Sequence, residues 1–339
     1  MTDVPNFEDL PEVEGMPKGC AWGVFDKEGK KDVYGTLNHL TPGVVKSAYS
    51  ELKEGVSVSL NWPLGAISTP GFGRTPLKHK ILSFMDTPAK VHSFDDELEF
   101  NTQSSSQWDG LCHYLHQASV RGYNGSRPTK EGLVQDYGNE DHEQKIPTLN
   151  HWHKRGGLVA RGVLIDYKAY ADENGIEYDP FSNHEITTDV IEAIAKRQGV
   201  QFKPGDVLLI RSGFTEALED LSGAEQKLKM ASHHSCGIQS SPDVAKWIWN
   251  HRFAAAAGDA LGLEAMPSKK PDGSDAAFDQ VHLHLHLLVL FGMPIGELWD
   301  LKALSQKCKE LGKYSFLLTS VPLNVPGLVA SPVNALALF

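Results

Sequence analysis

The sequence predicts an α/β fold, and three observations support this prediction. Two apolar runs, 161–167 and 207–211, have the length of strands that are buried on both faces of a sheet. Between them, the segment 187–197 has the helical spacing of an amphipathic helix, with its aliphatic residues on one face. The alternation of strand and helix patterns then continues through the second half of the chain, which is typical of the α/β class.

The other elements follow from local patterns. Apolar residues at helical spacing predict a helix at 42–52, and period-two alternation predicts a strand at 56–60. Ser241-Pro242-Asp243 predicts a helix start, because proline is tolerated in the first turn. The remaining predicted elements are a strand at 253–257, helices at 281–291 and 301–311, and a strand at 314–321.

We expect one domain over residues 1–339. It comprises a turn-rich N-terminal segment (1–45), a core (46–325) and a C-terminal tail (326–339). Two segments rich in glycine, proline and charge could have marked domain boundaries. Strand signals resume on each side of both, so we interpret them as loops.

Composition excludes several classes of partner. The formal charge is −11, from 32 basic and 43 acidic residues, and no basic block is present. This argues against a nucleic acid or an anionic membrane as the main partner. The N-terminus has no apolar signal-peptide core, and the four cysteines are scattered. Both observations predict a cytoplasmic protein with reduced thiols.

One polar segment, 103–116, contains Gln103, Gln107, Asp109, His113 and His116. A carboxylate and imidazoles on a glycine-containing segment can bind a metal, or can place a base beside one. The alternative interpretation is a polar surface loop, since no standard zinc spacing is matched.

A second cluster places His282, His284 and His286 between leucines, followed by Glu297. On a strand the three imidazoles would share one face, whereas on a helix only the first and third would. Buried imidazoles need partners, so at least one is expected to be a ligand. Taken singly, His282 or His286 is better explained as a hydrogen-bonded core or interface residue.

Two smaller features are weaker. His234 lies near Cys236 in a polar turn, but no third group is in view that would orient a Cys–His nucleophile. Asp259 follows a predicted strand and precedes Glu264, where a carboxylate could either orient a ligand or cap the next turn.

Together these segments resemble the cyclase family, which includes bacterial kynurenine formamidase and isatin hydrolase, and in particular its longer fungal and actinobacterial branch. The family signature is a His, a second His four residues later, an Asp two further on and a third His four beyond. Those positions are Gln103, Gln107, Asp109 and His113 in this chain. A second signature, His-x-x-Leu-Leu followed by a Glu after a glycine-containing turn, fits His284, Leu287, Leu288, Gly292 and Glu297.

The resemblance implies a swivelling β/β/α-type fold, with a central mixed sheet or barrel and surrounding helices, assembled as a homodimer or homotetramer. It implies a metal-dependent hydrolase of an amide, lactam or lactone bond in a small cyclic or aromatic substrate, with metal-bound water as the nucleophile. By carry-over, Asp109, His284 and Glu297 are metal ligands, and His113 is the general acid or base, with Asp109 beside it.

Four flanking residues are expected to contact the substrate, although core packing is an equal alternative for the aromatic ones. They are Trp108, Tyr114, His116 and His234.

Two of the histidine positions in the family signature are occupied by Gln103 and Gln107. An amide oxygen is a weaker and harder ligand than imidazole, so we expect one divalent ion, with Mn²⁺ favoured over Zn²⁺ or Mg²⁺. The ion would bind Gln103, Gln107 and Asp109, or only the half formed by Asp109, His284 and Glu297. The third possibility is that no metal binds.

Two other functions therefore stay open at this point. One is a metal-independent cyclase or dehydratase of secondary metabolism that uses His113 with a carboxylate. The other is a catalytically inactive protein that binds a small molecule.

Overall fold

A computed structural model of the chain describes residues 4–134, 146–270, 272–277, 280 and 282–339, with the His282 side chain left aside. A nine-stranded mixed sheet curls into a half-barrel with helices around it, which confirms the α/β class. The strands, in chain order β1 to β13, are Ser57–Ser59, Lys78–Ser83, Phe94–Glu99, Gln107–Asp109, Leu158–Asp166, Glu185–Ile186, Val207–Arg211, Gly237–Ile238, Ala255–Gly258, Ile295–Glu297, Ser315–Ser320, Ala330–Pro332 and Ala335–Leu338.

The order of strands in the main sheet is β1-β13-β11-β5-β7-β9-β10-β4-β12. Strands β5, β7, β9 and β10 run parallel, while the strands outside them pair antiparallel. Two small sheets, β2–β3 and β6–β8, stand apart from it. Since β10 and β4 are antiparallel neighbours, chain segments almost two hundred residues apart meet at this side of the sheet.

Helices surround the sheet, and the five that the sequence predicts begin within one residue of the predicted start. Thr41 and Ser241 each accept a hydrogen bond from the backbone N–H three residues on, which caps the first turn. The helices are Pro42–Ala48, Lys130–Leu133, His151–Lys154, Tyr167–Asn174, Thr188–Arg197, Phe214–Glu219, Gly223–Ser232, Pro242–Asn250, His282–His284 and Lys302–Leu311, and a π-helix follows at Leu285–Phe291. Among the described residues, no helix has the length and apolarity needed to cross a membrane.

Both faces of the sheet are buried, which explains the unbroken apolar runs of its central strands. Along β5, Val163 and Ile165 pack into one apolar cluster, while Leu164 packs into the cluster on the opposite face. The N-terminal segment belongs to this core, since Trp22 and Phe25 are buried in the first cluster.

The C-terminal segment 326–339, predicted as a tail, is instead part of the sheet. Strand β13 pairs with both β1 and β11, and β12 pairs with β4. The terminal Phe339 is fully buried. The sequence 335–338 alternates alanine with leucine, so all four residues are apolar. The alternation of apolar with polar residues that predicts a half-buried strand is therefore absent.

Candidate active site

The candidate site is built on β4, where side chains alternate between the two faces of the sheet. Gln107 and Asp109 therefore point to one face and Trp108 to the other. All three are fully buried. On its own face Trp108 packs against Trp152 and Trp299, and its indole N–H donates to Ser320. The expectation that Trp108 contacts substrate is thus wrong, because strand alternation sends it into the core.

Strand β10 places Glu297 directly opposite Gln107 in the antiparallel register. The Gln107 amide nitrogen donates to Glu297 Oε2 at 2.8 Å. The neighbouring Gly296 is required on the other face, since a Cβ there would lie 2.6 Å from the Trp299 indole nitrogen. The register and this glycine therefore fix Glu297 beside β4.

His284 lies between two buried carboxylates. Its Nδ1 is 2.8 Å from Glu264 Oε2, and its backbone N–H donates to Glu264 Oε1 at 3.1 Å. On the other side, its Nε2 is 3.3 Å from Glu297 Oε1. His284 is the residue at which the predicted helix changes into a π-helix, a change frequent at functional sites. His286 instead packs into the core near Phe291.

Gln103 connects Asp109 with His113. Its amide nitrogen donates to Asp109 Oδ1 at 2.6 Å and lies 3.3 Å from His113 Nδ1. His113 Nε2 is 3.7 Å from Asp109 Oδ2. Gln103 was predicted to offer its amide oxygen to a metal. Here its amide nitrogen faces the site and orients the Asp109 carboxylate.

The pKa values of the two imidazoles, His113 and His284, are shifted in opposite directions. Burial lowers the pKa of His113, and the nearby Asp109 charge offsets this only in part. Burial also acts to lower the pKa of His284, but the charge and hydrogen bonds of Glu264, with Glu297, outweigh it and hold that pKa well above its usual value. Burial, with the charge of Asp109, raises the pKa of Glu297 to about 7. His113 is therefore suited to accept a proton and His284 to hold one.

Three buried oxygens at this site make no well-aligned hydrogen bond to the described residues: Gln107 Oε1, Asp109 Oδ2 and Glu297 Oε1. The two carboxylate oxygens each face only an imidazole nitrogen, His113 Nε2 at 3.7 Å from Asp109 and His284 Nε2 at 3.3 Å from Glu297. All three come from one face of β4 and β10. Donor atoms of Asp109, His113 and His284 also lie within 4.8 Å of one another. Because unpaired buried oxygens are costly, and oxygens with imidazoles suit a divalent transition metal, this donor set fits such an ion.

A cavity of about 270 Å³ opens onto the site. The candidate residues that line it are His113, Tyr114, His284 and Glu297. The other described residues of its lining, absent from the sequence predictions, are Phe72, Arg74, Leu261 and Met266. No motif marks these four, which come from two loops distant in sequence.

The remaining sequence-predicted residues lie elsewhere. His116 contacts Ser119, and His234 is exposed; neither is among the described residues that line the cavity. Burial raises the pKa of the Cys236 thiol to about 12, which does not suit a nucleophile. Asp259 caps a turn by accepting the backbone N–H groups of Ser212 and Gly213.

Comparisons with known proteins agree with this architecture. The cyclase family model matches residues 56–265. A crystal structure described as a novel cyclase is 26% identical, with a TM-score of 0.75 over 94% of this chain and 99% of that chain. Isatin hydrolase A from Ralstonia solanacearum is 17% identical, with a TM-score of 0.55 over 88% and 98% of the two chains.

An isatin hydrolase bound to the product analogue thioisatinate is 16% identical, with a TM-score of 0.56 over 87% of this chain and 95% of that chain. No curated protein sequence matches the chain. The likeness to the isatin hydrolases concerns the fold.

Proposed function

Since the chain belongs to the cyclase family, we propose that it is a metal-dependent hydrolase of an amide, lactam or lactone bond in a small cyclic or aromatic substrate. One observation supports this above all others. Three unpaired buried oxygens and two imidazoles converge beside a cavity, where a divalent ion would satisfy the oxygens.

Asp109, His284 and Glu297 would hold the ion, with Gln107 Oε1 as a further oxygen donor. The harder amide and carboxylate oxygens favour Mn²⁺ over Zn²⁺ or Mg²⁺ in a site that also contains imidazole. When bound, the ion supplies a Lewis acid that polarises the substrate carbonyl and makes water more acidic.

Side chains of the protein then transfer the proton from the water to the leaving group. His113 lines the cavity and is kept neutral by burial, so it can take a proton from the attacking water. The water oxygen bonds to the acyl carbon, the C–N or C–O bond breaks, and the proton passes from His113 to the leaving atom. Asp109 stabilises the transient imidazolium from 3.7 Å, and Gln103 holds Asp109 in place.

A metal-independent cyclase or dehydratase is the second candidate, and one observation favours it. The pKa of His113 is lowered while that of His284 is raised, which is the division of roles that paired acid–base catalysis needs. In that case His113 removes a proton from the substrate and His284 returns one to the departing group.

Metal analysis and two variants test the proposal. The purified protein should bind about one equivalent of divalent ion, and His113→Ala and Glu297→Ala should each reduce turnover about 10²–10⁴-fold. The assay panel is N-formylkynurenine, isatin and simple lactones. The matched control is His251→Ala, at a histidine that contacts Trp247 outside the site. Turnover that survives both variants would exclude this site, and chelator-insensitive turnover would favour the second candidate.

A further inference from the structure

Arg74 is the one arginine among the described residues that line the cavity. Its Nη1 donates to the backbone oxygen of Gln103 at 3.0 Å, and its guanidinium carbon lies 5.0 Å from the centre of the Phe72 ring. These two contacts fix the plane of the guanidinium group. They use one of its five N–H donors, so the group retains capacity to bind a ligand.

Arg74 makes no direct ion pair with the described residues of the protein, although its charge acts at longer range on Glu297 across the cavity. Among the described residues, no carboxylate lies within ion-pair distance of it. The two arginines of the main sheet differ in this respect, because Arg161 pairs with Glu51 and Asp206, and Arg211 pairs with two carboxylates as well. An arginine held in place without a carboxylate partner beside a cavity is arranged to bind an anionic group from outside.

The walls near Arg74 are aromatic and apolar. Phe72 adopts a left-handed backbone conformation (φ 59°), which is unfavourable for a bulky residue, and its ring stacks on His233 at 4.2 Å. Tyr114 meets the His284 ring edge to face at 5.8 Å. A cavity of about 270 Å³ is larger than the apolar cavity of about 150 Å³ that accommodates benzene. It can therefore hold a substituted ring.

We propose that the substrate is an aromatic compound that carries a carboxylate in addition to its scissile amide, lactam or ester bond. The carboxylate pairs with Arg74 through the planar guanidinium fork, and the ring lies against Phe72 and Tyr114. The scissile bond then faces His113 and Glu297. This inference rests on the proposed function for the bond that is cleaved, but the recognition of the carboxylate is a separate property.

Two small probes test the recognition without turnover. Benzoate and its neutral isostere benzamide are titrated calorimetrically into the full chain, after chelator treatment so that no metal competes for the carboxylate. We expect benzoate to bind at least about 10-fold more tightly than benzamide. Arg74→Gln should weaken benzoate on the order of 10- to 100-fold, to the level of benzamide, and leave benzamide unchanged.

Arg74→Lys keeps the charge but removes the fork, so it should lose part of the preference. The matched control is Arg127→Gln, at an exposed arginine outside this cavity, which should change neither affinity. No binding of benzoate, equal affinity for the two probes, or a preference that survives Arg74→Gln would overturn the inference. If Arg74→Gln does not fold, an undiminished preference in Arg74→Lys would overturn it.

The two failures are distinguishable. Preferential benzoate binding that depends on Arg74, in a protein that hydrolyses no amide or ester, would leave the inference and remove the proposed hydrolysis. Turnover of neutral substrates as fast as their carboxylate analogues would leave hydrolysis and remove the inference.

Discussion

Two buried polar clusters occupy the same sheet and differ in how fully their groups are paired. The parallel-strand cluster is Asp166, Arg211 and Asp259, at the carboxyl ends of β5, β7 and β9. The antiparallel-strand cluster is Gln107, Asp109 and Glu297, on β4 and β10. Both clusters are almost inaccessible to solvent. Only the second contains oxygens without hydrogen-bond partners among the described residues.

In the parallel-strand cluster each carboxylate oxygen accepts a hydrogen bond. Asp166 accepts from Arg211 and from Ser305, and Asp259 accepts from Ser212 and Gly213. A buried charge with all its partners supports the fold, whereas one with unused lone pairs destabilises the fold unless something else binds there. Burial alone therefore does not identify a functional carboxylate. Unused hydrogen-bonding capacity does.

The largest expected effect is a difference in stability when the same substitution, Asp→Asn, is made in each cluster. Asp166→Asn should lower the free energy of unfolding by about 3 kcal/mol, because an amide NH₂ replaces an acceptor facing Arg211 or Ser305. Asp109→Asn should change it by less than about 1 kcal/mol, because Oδ2 has no partner to lose. Urea unfolding of the metal-free protein at pH 7 measures both.

The two clusters should also differ in function, and the same pair of variants tests this. Asp109→Asn should abolish metal binding or turnover. Asp166→Asn should retain both at urea concentrations below the midpoint of its unfolding. Equal destabilisation by the two substitutions would show that the antiparallel-strand cluster supports the fold as the other cluster does.

A smaller effect is expected at Glu264, which contacts the site only through His284. Glu264→Gln keeps the shape of the side chain but offers one acceptor where the Nδ1 and the backbone N–H of His284 each need one. The orientation and basicity of the imidazole should suffer, and the affinity for Mn²⁺ should fall about 10- to 100-fold in calorimetric titration. Glu185→Gln, at a carboxylate that contacts Gln239 away from the site, is the control. Unchanged affinity in Glu264→Gln would mean that Glu264 does not orient a ligand.

The sequence predicts the central part of the fold well, for a physical reason. Strands β7 and β9 and the second half of β5 are buried on both faces, so their apolar runs are visible in the sequence. The charged hairpin of β2 and β3 and the final strands have no such signal. In the hairpin, charged residues stabilise exposed strands through cross-strand pairs such as Lys78–Glu99. Which strands pair is a tertiary property that no local pattern contains.

The candidate site was predictable only in part. The spacing of Gln107, Asp109 and His113, with the resemblance, identified the residues that the sheet brings together. Strand alternation could have placed Trp108 on the opposite face, had 107–109 been predicted as a strand. Nothing local distinguishes Arg74 or Glu264, because each is held by residues distant in sequence: Arg74 by the backbone of Gln103 and Glu264 by His284.

The smallest expected effect is the pH dependence of stability in the metal-free protein. Burial and the Asp109 charge raise the pKa of Glu297 to about 7, so the native state holds a proton that the unfolded state has already released. Stability from this group is complete below the ordinary glutamate pKa and is lost as the pH rises through about 7. His284 acts in the same direction, since its pKa is also raised.

We therefore expect the free energy of unfolding to fall by about 1–2 kcal/mol between pH 5 and pH 8 because of Glu297, and Glu297→Gln to remove that part of the slope. Saturating Mn²⁺ should reverse the trend in the wild-type protein, because the ion binds the deprotonated ligands and higher pH supplies them. Asp166→Asn should leave the slope intact, because its cluster does not adjoin Glu297. A wild-type slope equal to that of Glu297→Gln would show that the pKa of Glu297 is not raised in the native state, and the contrast between the two clusters would then fail at Glu297.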